Sequence, residues 1–182
     1  MKRLYVVAIA TVVALLGVPT PASAQELDFG GFLEWIHRLS GPQFIGPGLS
    51  VATTGDGPRF RFSAAYRWSF ASDDAIDPDG GLTQLSVRPA LEIPLCDCLD
   101  LVGGVGLHRY AGDADAFWHW SVPVHLQGRI PLSPGTRLRV GAGAHYFPEF
   151  GADDFAPLTV TAPRDGGEFV LTAYVGVDWR MF

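Results

Sequence analysis

From Arg59 to Phe70 the chain reads RFRFSAAYRWSF, an unbroken alternation in which Phe60, Phe62, Ala64, Tyr66, Trp68 and Phe70 share one face and Arg59, Arg61, Ser63, Ala65, Arg67 and Ser69 share the other. A strand has period two, so this segment forms a strand with an apolar face and an arginine face. The same period recurs along the chain and predicts strands near residues 44–53, 59–70, 82–93, 99–110, 117–128, 136–147 and 168–181. In the third, Leu85, Val87, Leu91 and Ile93 oppose Gln84, Ser86, Arg88 and Glu92. In the fifth, Trp118, Trp120, Val122, Val124 and Leu126 oppose His119, Ser121, His125 and Gln127. In the sixth, Leu138, Val140 and Ala142 oppose Arg137, Arg139 and Gly141, and in the last Leu171, Val175 and Val177 oppose Thr172, Gly176 and Asp178. One polarity rule governs them all.

The first residues follow a different logic. Lys2 and Arg3 precede an apolar run from Leu4 to Val18, and Ala22-Ser23-Ala24 forms an A-x-A cleavage pattern, so residues 1–24 read as a cleaved secretory signal peptide. Removing them leaves 158 residues, enough for one domain, with no stretch of the ~20 apolar residues that a spanning helix needs. Any membrane crossing must then be made by strands. The mature segment holds 11 arginines and no lysine against 19 acids, a balance that excludes nucleic acid as a partner.

The connections alternate in length: GDGP, ASDDAIDPDGG, PLCDC, AGDADA, RIPLSPG, and then a long stretch from Pro148 to Gly167. Trp68, Phe70, Trp118, Trp120, Tyr146 and Phe169 fall near the rim of the long connections, and Phe60 and Trp179 near the other, like the interfacial girdles of membrane barrels. In these features the chain resembles the small eight-stranded bacterial outer-membrane β-barrels. The resemblance covers the mature sequence and rests on pattern, with no diagnostic motif. It implies a closed antiparallel up-and-down transmembrane β-barrel, apolar outside and polar inside, in the bacterial outer membrane. It also implies a terminal aromatic read by the barrel-assembly machinery, a place taken by Phe182, although Phe182 is in phase with Arg180 and Asp178 and not with the apolar face.

A bacterial barrel of this type has an even number of strands, and the alternation supplies seven. Leu27 to His37 is one candidate for the eighth, but Phe32, Leu33, Trp35, Ile36 and Leu39 form an amphipathic helical stripe that Ser40-Gly41-Pro42 would end. The other candidate is FAPLTVTA, residues 155–162. The preferred division is an N-terminal amphipathic helical segment over 25–43 and a β-barrel domain over 44–182, its eighth strand at 155–162. That assignment places the long loops on the same side as both termini, against the usual loop-length rule.

An eight-stranded barrel has room inside for side chains and little else, so Arg61, Arg67, Arg88, Glu92, Arg137, Arg139, Asp178 and Arg180 should pair across the lumen. Their arginine excess leaves a second reading open, an anion-binding lumen or narrow pore. His108, His119, His125 and His145 share the inward register but show no metal-binding spacing, and satisfied lumen histidines are the simpler account. Gly103, Gly104, Gly106, Gly141 and Gly143 relieve crowding rather than cradle a phosphate. Cys96-Asp97-Cys98 lies in a tight connection and reads as a disulfide staple of that turn, with an interchain link or a redox or metal role as alternatives.

Asp73, Asp74, Asp77, Asp79, Asp113, Asp115, Glu149, Asp153, Asp154 and Asp165 lie on the long connections. They read as solvated loops or as a rim that binds Ca²⁺ or Mg²⁺ and bridges lipopolysaccharide phosphates. No cofactor and no catalytic residue is inferred. The reading is a monomeric, porin-like envelope protein with a structural or surface-interaction role, its partners outer-membrane lipid or lipopolysaccharide and, during insertion, the assembly machinery. Two rivals stand beside it. A lipid A-modifying enzyme is suggested because the palmitoyltransferase type also places an amphipathic helix before its barrel, and a soluble lipocalin-like periplasmic carrier would need the opposite face polarity.

Overall fold

The computed structural model describes residues 26–38, 43–71, 82–111, 116–148 and 168–181. They form nine antiparallel strands: β1 Leu27–His37, β2 Gln43–Thr53, β3 Arg59–Ala71, β4 Thr83–Cys96, β5 Leu99–Gly104, β6 Gly106–Ala111, β7 Ala116–Ser133, β8 Thr136–Phe147 and β9 Glu168–Met181. Strands β5 and β6 are one wall strand interrupted at Val105. Both pair with β4 and β7, and the register is the same on either side of the gap, Ala90 facing Gly104 and Val87 facing Leu107. Each strand pairs with its sequence neighbour, and β1 pairs with β9 from Leu27 opposite Met181 to His37 opposite Leu171. The ring of eight wall positions therefore closes.

The closing strand corrects the sequence reading. Leu27–His37 is not an amphipathic helix but β1, so the barrel begins there and not at residue 44. Its inward positions are Asp28, Gly30, Phe32, Glu34 and Ile36, and its outward positions include Leu27, Leu33 and Trp35. Phe32 and Ile36 are apolar residues facing the lumen. Combined with outward Leu33 and Trp35 they imitate a helical stripe, although Gly30 and Gly31 would each cost a helix about 1 kcal/mol. No helix occurs among the described residues. The other candidate for the eighth strand, residues 155–162, lies outside the described residues, as do the signal segment, the ten loop acids and Phe182.

With β1 in the wall, the conflict between strand parity and loop length disappears. The connections 54–58, 97–98 and 134–135 are short and share a rim with the start of β1 and the end of β9. The other strand ends, His37, Gln43, Ala71, Thr83, Ala111, Ala116, Phe147 and Glu168, share the opposite rim, where the remaining connections begin and end. The period-two rule holds around the ring. Leu49, Phe62, Trp68, Leu85, Trp118, Leu126 and Leu171 are exposed on the outer wall, whereas Arg59, Arg61, Arg67, Arg88, Glu92, Arg139 and Asp178 are buried inside. A soluble carrier requires the inverse, so the lipocalin-like arrangement is excluded for these strands.

Two aromatic side chains fill the middle of the lumen because glycines make room for them. A Cβ on Gly48 would stand 2.2 Å from Phe32 Cζ, and one on Gly176 would stand 2.7 Å from Phe32 Cβ, so one glycine makes room for the ring and the other for the base of the side chain. Tyr174 packs edge-on against Phe32 at 6.3 Å between centroids. Overpacking a site with no space to yield costs about 1–3 kcal/mol. Gly48→Val should lower stability by about that amount in a urea titration of the refolded protein. Gly31→Ala, whose Cβ would approach nothing nearer than 3.8 Å, should change it little.

Candidate functional site

The residues that carry chemistry are gathered inside the barrel, and the strand register stacks them in tiers. Beneath the long-loop rim, Ile36, Phe44, Leu82, Tyr110, Phe147 and Val170 form a buried apolar cluster across the lumen. At that rim Arg38 meets Glu168 at 2.5 Å. Below the cluster sits Glu34, with no solvent exposure. It accepts hydrogen bonds from Arg67, from Arg88 Nη1 at 2.5 Å and Nη2 at 2.7 Å, and from Thr172 Oγ1 at 3.0 Å. Arg67 also donates to Gln84 Oε1 at 2.8 Å and to Ser86 Oγ at 2.9 Å.

Gln84 links this carboxylate centre to a chain of buried rings. Its Nε2 donates to Tyr110 Oη at 2.6 Å and lies 3.4 Å from His108 Nδ1. His108 Nε2 is 2.7 Å from Ser121 Oγ, which is 3.2 Å from His145 Nδ1, and His145 packs against His125 at 5.2 Å between centroids. His119 lies on the same inward register nearer the rim, opposite His108, and is only half-buried. Ser121 is flanked by two histidines but is fully buried, and the groups that orient His108 are an amide and a hydroxyl, not a carboxylate. That arrangement lacks the access and the orienting acid of an acyl-transfer nucleophile. Among the described residues no group of three or more His, Cys, Asp or Glu side chains could hold a metal ion.

The half of the lumen nearer the short turns is a ladder of shared carboxylates. Asp178 binds Arg61 Nη2 and Arg139 Nε, each at 2.8 Å. Glu92 binds Arg61 Nε at 2.5 Å and Arg59 Nε at 3.2 Å. Asp100 binds Arg59 Nη2 at 2.7 Å and Arg129 Nε at 2.8 Å, and it accepts from Gln127 Nε2 at 3.1 Å. At the edge Asp28 faces Arg137 at 3.5 Å and Arg180 at 3.7 Å. Between the two halves, Phe32, Arg61, Arg88, His125, Arg139 and Tyr174 are among the residues lining a cavity of about 40 Å³. Small-molecule sites are about 300–1,000 Å³, so this one takes no substrate of ordinary size.

All eight arginines and acids expected in the lumen enter these pairs, but the groups that complete them were not foreseen. Glu34 and Asp28 lie on β1, which the helical stripe disguised. Arg59 and Gln127 stand on polar faces that the alternation marks but were not assigned to the network, Asp100 lies within the foreseen strand 99–110, and Arg129 lies one residue beyond the foreseen end of 117–128 on the same parity. Their inclusion narrows the arginine excess: below the loop rim the buried charges among the described residues are Asp28, Glu34, Glu92, Asp100 and Asp178 against Arg59, Arg61, Arg67, Arg88 and Arg139. Three further arginines, Arg129, Arg137 and Arg180, pair with the same acids at the partly exposed short-turn edge. Cys96 and Cys98 are exposed free thiols at the short-turn rim, with Sγ atoms 3.5 Å apart.

No protein-family model and no curated protein sequence matches this chain. Solved structures do. Neisserial surface protein A superposes with a TM-score of 0.60 at 11% identity, over 89% of this chain and 100% of that one. A major outer membrane protein from Thermus thermophilus gives a TM-score of 0.52 at 15% identity, over 84% of this chain and 99% of that one. The fold is an eight-stranded transmembrane β-barrel. At these identities the likeness is one of architecture, and the lumen network described above is read from this chain's own residues.

Removing one partner of a buried ion pair leaves an uncompensated charge and costs about 3–5 kcal/mol. Glu34 pairs with two guanidinium groups at once, so Glu34→Ala should destabilise the barrel by at least that much in denaturant titrations. Adding Arg67→Met and Arg88→Met to Glu34→Ala should recover part of the loss, because the unpaired charges go with their partner.

Proposed function

We propose that the chain is an outer-membrane barrel whose closed wall serves a structural or surface-interaction role, with the long connections facing outward and the short turns facing the periplasm. The observation that carries this reading is the inversion of polarity. Leu49, 73% exposed, and Trp118, Leu126 and Leu171, each about half exposed, sit on a wall whose interior buries five carboxylates with their arginine partners. Water would penalise such an exterior, and hydrocarbon suits it.

Two further features support the reading. Residues 1–24 have the form of an export signal, and Trp35, Trp68, Phe70, Trp118 and Phe169 project outward toward the long-loop rim, where an aromatic girdle would meet the interface. The apolar cluster and the paired ladder fill the lumen, so solutes do not pass through it. The role then falls to the loops, held by the rigid wall for contact with lipopolysaccharide or with a macromolecule at the surface. A lipid A-modifying activity loses its basis, since β1 replaces the expected helix and Ser121, His108 and His145 are buried away from an acyl chain.

Fractionation of expressing cells should place the protein in the outer membrane, with an electrophoretic mobility that changes on boiling. A soluble periplasmic band would refute the proposal. In lipid vesicles, Leu126→Arg should cost about 2–4 kcal/mol, the penalty for a cation near the bilayer midplane. Planar bilayers containing the purified protein should show no steady conductance, and a stable open channel would contradict the closed lumen.

A further inference from the structure

The chain contains two cysteines, and both stand at one exposed turn on the short-turn rim. Cys96 ends β4, Leu99 opens β5 opposite it, and Asp97 and Cys98 make the turn between them. The turn is tied to the neighbouring strand: the Arg129 amide donates to the Cys98 carbonyl at 2.8 Å, and Arg129 Nη2 lies 3.5 Å from the Cys96 carbonyl oxygen. The two Sγ atoms are 3.5 Å apart, in contact but beyond the ~2.0 Å of a bonded pair. Beside them opens a groove of about 330 Å³ lined by Gly55, Asp56, Arg59, Pro94, Leu95, Asp97 and Arg129 together with Cys96. Its volume is at the lower end of small-molecule sites, and its lining carries both signs of charge.

We propose that Cys96 and Cys98 form a reversible thiol–disulfide exchange centre that acts on low-molecular-weight, zwitterionic thiols and disulfides of the cysteinyl-peptide type. A structural staple and a metal clip both fit less well. A disulfide between cysteines one residue apart closes a small strained ring, which favours reduction, and two thiols with no third ligand converging on them among the described residues do not make a closed metal site. The two thiols are also unequal. The hydrogen bond to Cys96, followed by the charge of Cys96, pushes the Cys98 thiol up, so Cys96 ionises first and attacks first.

In the oxidising half-reaction the Cys96 thiolate attacks one sulfur of the small disulfide, and the released thiolate takes a proton. Cys98, deprotonated in turn, attacks Cys96 Sγ, closes the Cys96–Cys98 bond and expels the second small thiol. Two electrons pass from the protein pair to the substrate, one disulfide is consumed and one is formed. The reverse sequence reduces the protein and oxidises two small thiols. These steps use only the rim and do not rest on the membrane reading.

The test is equilibration of the full folded protein, in detergent micelles, with oxidised and reduced glutathione at graded ratios, followed by acid quench, alkylation and mass measurement. The expected result is reversible interconversion of a dithiol and an intrachain disulfide, without accumulation of a glutathione adduct. Cys98→Ser should trap that adduct on Cys96. In Cys96→Ser the adduct should form on Cys98 instead, and neither single variant should yield the intrachain disulfide. Both variants remove only exposed thiols and should retain the wild-type heat shift. The proposal is overturned if the pair stays open or closed at every ratio, if only interchain disulfides form, or if the adduct persists equally in wild type and in Cys98→Ser.

Discussion

The structure depends on the sharing of each buried carboxylate between two guanidinium groups. A lone charge moved into such an interior carries a penalty of several kcal/mol, and one ion pair seldom offsets it. Here Glu34 serves Arg67 and Arg88, Glu92 serves Arg59 and Arg61, and Asp178 serves Arg61 and Arg139, so each carboxylate collects guanidinium groups that would otherwise stand unpaired in the interior. The pairs join residues far apart in sequence: Arg61 and Asp178 lie on β3 and β9, and Arg88 and Glu34 on β4 and β1. The ladder therefore ties strands that are not neighbours in the wall, a function that backbone hydrogen bonds between adjacent strands cannot perform.

The same charges define the register. A slip of one residue exchanges the two faces of a strand. On β3 it would carry Arg59, Arg61 and Arg67 to the outer wall, at about 2–4 kcal/mol for a guanidinium at mid-depth and less toward the rim where Arg59 opens the strand. Against a domain stability of about 5–15 kcal/mol, even one such misplaced charge is a large fraction. An apolar filling would pack the lumen as well but would forbid nothing. The interior charges thus contribute more to the uniqueness of the barrel than to its depth of stability.

Legibility in the sequence follows from the same physics. Where inward positions are charged or polar and outward ones apolar, as along β3, β4, β7, β8 and β9, period two reveals both the strand and its facing. Where the lumen itself becomes apolar the signal fails. Phe32 and Ile36 belong to the filling of the lumen, and their polarity matches that of the outward residues beside them, so β1 lost its alternation and Glu34, the centre of one half of the network, was lost with it. Inward Asp28 and Glu34, spaced by six, keep parity with that filling and were the signal available. The tiers could not have been found this way, since which arginine meets which carboxylate depends on shear and closure.

A lumen this completely paired has little capacity left for chemistry. Its buried His108 and His145 are joined through Ser121, His125 packs on His145, its cavity is small, and its carboxylates are all engaged by arginines. Function is thereby displaced to the two rims, where side chains are not obliged to fill space. At the long-loop rim the apolar cluster lies between the strand ends and the ladder, and the pair there is Arg38 with Glu168. At the opposite rim the tight turns leave room for little beyond their own residues, yet one of them carries both cysteines, beside a groove that the ladder's last arginines line. The closed wall holds the two ends of that turn, Cys96 and Leu99, opposite each other, so both thiols stay neighbours on one short segment.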